Sequence, residues 1–165
     1  MQDVTLELLT EENLPEVWKI DRTDIDRTDV PEAFVDTAET LWELTQYGLE
    51  HHCKGHTYVI RRAGRCVGII LLGEAILWET DPPEMRECPF YRLMGFVLDC
   101  SVRGQGLGSW VLEEVIRRVA EEYGPRPIAL GVHRENVAAA RFYQRHGFMA
   151  VDAMEGNDVY FLRYS

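Results

Sequence analysis

The sequence predicts a single α/β domain in which helices lie on one mixed sheet. Three observations predict it. Short runs that alternate apolar and polar residues, or are apolar throughout, are interleaved with stretches whose apolar residues recur at helical spacing. Glycine- or proline-bearing breaks separate these runs. The chain has 165 residues, close to the usual size of one domain, about 100–150 residues.

Val4–Leu8 alternates Val4, Leu6 and Leu8 with Thr5 and Glu7, the period of a half-buried strand. Thr10 offers a helix N-cap with Asn13 at the third helical position, and Leu14, Val17, Trp18 and Ile20 continue that helix to near Asp21. Residues 21–35 place Asp21, Asp24, Asp26, Asp29 and Glu32 among turn-prone Asp-Thr pairs and read as a loop. A second helix spans Asp36–Glu50, with Leu41, Trp42, Leu44 and Leu49. Thr57–Arg62 and Arg65–Leu72 form a hairpin across Ala63-Gly64, and its second strand is apolar enough to be buried on both faces. Asp81, Pro82, Pro83 and Pro89 make 74–90 the one long irregular segment. Leu93–Asp99 is the next strand. The glycines at 104, 106 and 108 then open a helix whose residues Trp110, Val111, Leu112, Val115, Ile116 and Val119 cover one face, until Tyr123-Gly124-Pro125 stops it. Ile128–Val132 is a strand, Asn136 starts a helix to about His146 that Gly147 ends, and Phe148–Met154 with Val159–Tyr164 close the chain as a hairpin across Gly156-Asn157.

Composition narrows the function. With 28 acidic against 17 basic residues the net charge is −11, which argues against a sequence-independent hold on nucleic acid or on an anionic membrane and favours cationic partners. Lys19 and Lys54 are the only lysines, so there is no polybasic tract. The cysteines Cys53, Cys66, Cys88 and Cys100 form no CxxC pair and read as reduced thiols. His51, His52, Cys53 and His56 do not match a zinc template, and no metal is expected. The first residues lack a signal-peptide pattern, and no apolar run approaches the roughly 18 residues of a membrane span, so a cytoplasmic protein is expected.

The strongest local signal is the run Arg103-Gly-Gln-Gly-Leu-Gly108, between a strand and a helix. Glycines let the backbone approach an anion closely, and the free amides and positive dipole end of the helix supply donors and field without a lysine. A diphosphate fits such a turn. Gly108-Ser109-Trp110 is not the Gly-Lys-Ser/Thr end of a nucleoside triphosphate loop, and the turn follows the fourth strand, whereas a dinucleotide fingerprint follows the first.

Two segments, Leu98–Gly108 with that turn and Asn136-Val-Ala-Ala-Ala-Arg-Phe-Tyr143-Gln-Arg-His-Gly147-Phe148, resemble the paired signature motifs of the GNAT superfamily of acetyl-CoA-dependent N-acetyltransferases. The match is close over roughly 93–150. The resemblance implies a mostly antiparallel mixed central sheet of about seven strands flanked by about four helices, with acetyl-CoA as co-substrate. It assigns the coenzyme diphosphate to Arg103 and the amides of Gly104, Gln105, Gly106, Leu107, Gly108 and Ser109. It maps the main-chain contacts to the pantetheine arm and acetyl carbonyl onto Phe96, Val97 and Leu98, a further coenzyme contact onto Asn136, and protonation of the departing thiolate onto Tyr143. The chemistry agrees: a phenol with a reference pKa near 10 can donate to a thiolate whose thiol is about 8.5. Taken alone, Phe142-Tyr143 would read as helix packing.

The proton acceptor is less evident. Some family members carry a glutamate on the strand leading into the second motif, where this chain has Ala129-Leu130-Gly131-Val132. Glu74, ending the apolar strand and followed by Trp78, Glu79 and a proline-rich segment suited to walling a cleft, is the first candidate for general base; Asp99 and His133 are its rivals. The acidic 21–32 segment lies where this fold builds its acceptor site. The acceptor expected from the charge is a small cationic amine such as a polyamine or aminoglycoside. A protein N-terminus or lysine, and a non-catalytic acyl-CoA sensor on the same fold, stay open, as does a homodimer through the last hairpin.

Overall fold

The computed structural model describes residues 3–21 and 38–164. Seven strands, β1 (Val4–Leu8), β2 (Gly55–Arg62), β3 (Arg65–Glu74), β4 (Tyr91–Leu98), β5 (Ile128–His133), β6 (Met149–Glu155) and β7 (Asp158–Arg163), form one sheet in the order β1-β2-β3-β4-β5-β7-β6. Every neighbouring pair is antiparallel except β4 and β5. The helices among the described residues are α1 (Leu14–Val17), α2 (Ala38–Glu50), α3 (Leu107–Tyr123) and α4 (Val137–Arg145). This is the mixed, mostly antiparallel sheet with flanking helices that the sequence predicts.

The register explains the burial. Ile60 and Ile70 of the central hairpin face Val111, Leu112 and Val115 of α3, while Val59, Ile69 and Leu71 face Leu41 of α2 and Val17 of α1. The apolar strand β3 is therefore buried on both faces, as its composition requires. A third cluster joins Met85 and Phe90 to Ala129, Tyr160 and Leu162.

Local chemistry corrects the first helix. Thr10 N–H donates to Asn13 Oδ1 (2.8 Å) and Asn13 N–H to Thr10 Oγ1 (3.3 Å), the reciprocal bonding expected of a Thr10 cap with Asn13 three positions on, but the regular helix begins only at Leu14. Lys19 and Ile20 bond back only three residues, to Glu16 and Val17, so the α-helix ends four residues before Asp21. Part of the acidic loop, with Asp24, Asp26, Asp29 and Glu32, and the expected helix start at Asp36 lie outside the described residues.

β4 and β5 pair only at Tyr91–Ile128 and Arg92–Ala129 and diverge beyond them. That splay is what positions the site.

Candidate functional site

The gap between the diverging strands is a cavity of about 640 Å³. Leu93 to Leu98 of β4 form one wall, and because β5 no longer pairs with them, this edge offers backbone donors and acceptors to whatever enters. An extended arm bearing amides can bond there as an added strand would. Gly95 lets α2 pack closely on this wall: a Cβ at that position would lie 2.4 Å from Leu41 Cδ2, so the Leu41 side chain would have to shift.

Beyond β4 the chain is tied down by Asp99, which accepts from Ser101 N–H (3.0 Å), Ser101 Oγ–H (2.7 Å) and Asp21 N–H (2.9 Å). Burial alone would raise the Asp99 carboxyl, but these bonds and Arg65 outweigh it and hold the group below its ordinary range. Gly104 (φ +73°) and Gly106 (φ +79°) take left-handed conformations, the second as N-cap of α3. Leu107 is sunk in the core and anchors the first turn of α3, whose leading amides, through Gly108 and Ser109, lack helical acceptors. The glycines and leading helix amides singled out in the sequence thus meet in one turn.

Arg103 lines the cavity and donates through Nε (3.1 Å) and Nη2 (2.6 Å) to the Leu98 carbonyl, so this side chain also shapes the cradle's entrance. Gln105 turns outward, accepting from Arg62 Nη1 (2.7 Å) and donating to the Ser101 carbonyl (3.1 Å). The Ser109 hydroxyl lies 2.9 Å from His146 Nε2, whose Nδ1 lies 2.8 Å from Glu113 Oε1.

The opposite wall is α4. Asn136 caps it by accepting Ala139 N–H at 3.1 Å, which leaves the asparagine's own NH₂ donors outside the cap. Tyr143 lines the cavity with its ring edge-on to Phe142 (5.1 Å) and Phe148 (5.6 Å), and burial pushes its phenol far above the ordinary tyrosine value.

The cavity passes through the sheet, and its two sides differ. Leu130, Val132 and Phe161 belong to the cluster that Tyr143 packs against, whereas Ala129 and Tyr160 belong to the cluster on the other face. Side chains alternate along a strand, so Gly131 and His133 of β5, and Asp158 of β7 with Tyr160, lie on the face away from Tyr143. This second side has a rigid floor. Arg92, buried, makes a two-pronged pair with buried Asp81 (Nη1–Oδ1 3.0 Å, Nη2–Oδ2 2.8 Å), donates to the Ile76 carbonyl (3.0 Å) and stacks on Trp78 at 3.7 Å. Asp81 also accepts from Tyr160 O–H (2.7 Å) and Trp78 N–H (2.8 Å). The irregular segment expected to wall a cleft does so through Trp78.

The structure corrects the placement of the first candidate base. Glu74 pairs in register with Tyr91, at the closed end of the splay, and does not line the cavity; its carboxylate accepts Lys54 N–H at 3.4 Å. Asp99 is occupied by the turn. His133 lines the cavity, but Glu135 N–H donates to its Nδ1 (3.1 Å), which puts the neutral ring's proton on Nε2, and burial lowers its pKa. Sequence reasoning missed Arg92, Asp81, Tyr160 and Asp158. A signal existed for one of them: an arginine flanked by apolar residues at the head of a buried strand needs a buried partner.

Among the described residues no group of three or more His, Cys, Asp or Glu is arranged to hold a metal, and no helix is long and apolar enough to cross a membrane.

The model of the acetyltransferase (GNAT) family matches residues 16–148. The chain belongs to that family. Its sheet and helices also have the GNAT fold of solved structures. Over 98% of this chain and 99% of the other it superposes on a PaiA N-acetyltransferase from Thermoplasma acidophilum in complex with coenzyme A, at a TM-score of 0.73 and 17% identity. A ribosomal-protein-alanine N-acetyltransferase from Brucella melitensis gives 0.68 at 17% identity, over 98% and 99%. A probable spermine N(1)-acetyltransferase from Bacillus subtilis subsp. natto is 40% identical over 53 residues, 32% of this chain and 35% of that protein. The match thus spans about a third of that relative's length.

Family membership gives the glycine turn a direct test. Gly106→Val adds a branched side chain to the cradle, so the thermal stabilisation that acetyl-CoA gives the wild type, about 2.7 kcal/mol at 100 times its dissociation constant, is expected to vanish. The left-handed φ at Gly106 will itself cost the variant about 1–3 kcal/mol, so its shift is read against its own coenzyme-free melting temperature. An undiminished shift in the folded variant rules out the diphosphate seat.

Proposed function

We propose that the protein transfers the acetyl group of acetyl-CoA to the primary amine of a small cationic acceptor, by direct attack. In this reading the diphosphate sits on the amides from Gly104 to Ser109 with Arg103 beside it, and the pantetheine arm runs along Phe96, Val97 and Leu98. Asn136 makes a further coenzyme contact, and Tyr143 protonates the leaving thiolate. The observation that carries it is the splay: an open β4 edge leads from the glycine turn at the start of α3 into a cavity lined by a phenol on one side of the sheet and by carboxylates on the other.

Direct transfer needs nucleophile and thioester held together, which can replace a large part of the barrier by pre-paid orientation, and backbone N–H groups of β4 are suited to the oxyanion that develops. The cationic acceptor is supported by carboxylates of Glu155 and Asp158 lining the cavity, by the net charge of −11, and by the partial likeness to a spermine N(1)-acetyltransferase.

The test is an acceptor panel of polyamines, diamines, aminoglycosides and amino-terminal peptides, with the acetylated product identified by mass spectrometry. Polyamines or aminoglycosides are expected to lead. Preference for a peptide over every small amine overturns the acceptor assignment.

Because burial raises the phenol above the ordinary tyrosine value, the rate should not fall near pH 10, where an exposed tyrosine would ionise. A decline centred there, with the protein still folded by circular dichroism, contradicts the placement of the Tyr143 donor.

A further inference from the structure

We propose that Asp158 receives the acceptor's ammonium group and takes its proton, on the face of the sheet opposite Tyr143. This inference rests on the acetyltransferase reading and supplies the base that Glu74, at the closed end of the splay, does not.

Asp158 is the first residue of β7 and lies opposite His133 of β5 in the register. Its side chain lies over Gly131: a Cβ there would stand 3.2 Å from Asp158 Cβ and 3.4 Å from Oδ2. The missing side chain at 131 is therefore what gives this carboxylate its room at the cavity wall, and both residues line the cavity. No hydrogen bond or ion pair among the described residues occupies its oxygens, in contrast to Asp99 and Asp81, which are each bound by three or more groups.

The titratable and charged groups around it are His133 on β5, itself flanked by Arg134 and Glu135, Glu155 opposite it on β6, and Tyr160 two residues on. Burial raises the Asp158 carboxyl above its ordinary value, and His133 opposes this only in part. A carboxylate so raised is better matched to proton transfer near neutral pH than a solvated one.

The protons balance as follows. The ammonium gives one proton to Asp158, and the neutral nitrogen attacks the thioester carbonyl carbon. The tetrahedral intermediate collapses with cleavage of the C–S bond, and the thiolate takes the Tyr143 proton. The new amide nitrogen loses its second proton to water, from which the phenolate is restored, and Asp158 releases its proton to solvent. The sum is acetylated amine, coenzyme A and one proton.

Asp158→Asn keeps size and shape while removing the base. With a diamine or polyamine acceptor, kcat/KM for the amine should fall about 10²–10⁴-fold at pH 7. The thermal shift produced by acetyl-CoA should be unchanged. The deficit should shrink as pH rises toward the amine's own pKa, about 10.4, because the variant depends on amine that is already neutral, whereas the wild-type rate rises with ionisation of Asp158 and then levels. Gly131→Ala, which displaces the same carboxylate, should lose activity in the same direction and add little to Asp158→Asn in the double variant; it carries the test if Asp158→Asn does not fold. Wild-type kcat/KM and an unaltered pH profile in the folded variants overturn this inference alone. Absence of any amine-stimulated coenzyme A release from the wild type overturns the acetyltransferase reading beneath it.

Discussion

Tyr143→Phe is expected to lower kcat by about 10²–10⁴-fold, the usual loss of a positioned general acid, with little change in coenzyme affinity. The ring that packs against Phe142 and Phe148 is retained, so the fold and the seat of the coenzyme should survive. In the proposed reading the hydroxyl is used only when negative charge develops on sulfur, so its loss falls on the transition state and not on the bound ground state. Single-turnover kinetics at saturating acceptor, with acetyl-CoA binding measured separately, read the two effects apart. Equal chemical rates for wild type and variant would remove Tyr143 from the mechanism.

Asp81→Asn is expected to destabilise the protein by about 3–5 kcal/mol, since it leaves the buried Arg92 charge without its partner. That is a large share of the 5–15 kcal/mol by which a typical domain is stable. Chemical denaturation measures it. A double variant in which apolar residues replace both partners should recover much of the loss, because the unpaired charge, not the missing attraction, is what costs most. The same pair gives an acid limit with a definite sign. Burial alone would raise the Asp81 carboxyl, but the bonds from Arg92, Trp78 and Tyr160 hold it below its ordinary value. Its contribution is therefore present above the unfolded value, about pH 3.9, and is lost as pH falls through the lower folded value. An Asp81→Asn variant whose stability stays within 1 kcal/mol of wild type, a threshold well below the range expected for a broken buried pair, would show the network to be passive.

The features that were legible in the sequence are those written in contiguous residues. Glycines at 104 and 106 with left-handed φ and Asn136 at the start of its helix each act through neighbours a few positions away, so spacing alone announces them. The sheet was legible for the same reason, since a period of two and a doubly apolar strand are local signals. What was not legible depends on register between distant strands. Glu74 looked well placed because it ends a central strand, yet β3 runs antiparallel to β4, which brings its last residue to the first of β4 and to the end where β5 is still paired. Asp158 looked like a hairpin residue; only the alignment of β7 on β5, which sets it opposite His133 and over Gly131, brings it to the cavity. Arg92, Asp81 and Tyr160 meet from three separate segments.

The most direct test of the account is coenzyme A release from acetyl-CoA, followed through its free thiol, with and without an excess of the best amine from the acceptor panel. The account predicts slow release without amine and a saturable, many-fold stimulation with it, matched mole for mole by acetylated amine. Binding of acetyl-CoA with no stimulation by any amine would contradict it and leave a coenzyme-binding protein that does not transfer the acetyl group.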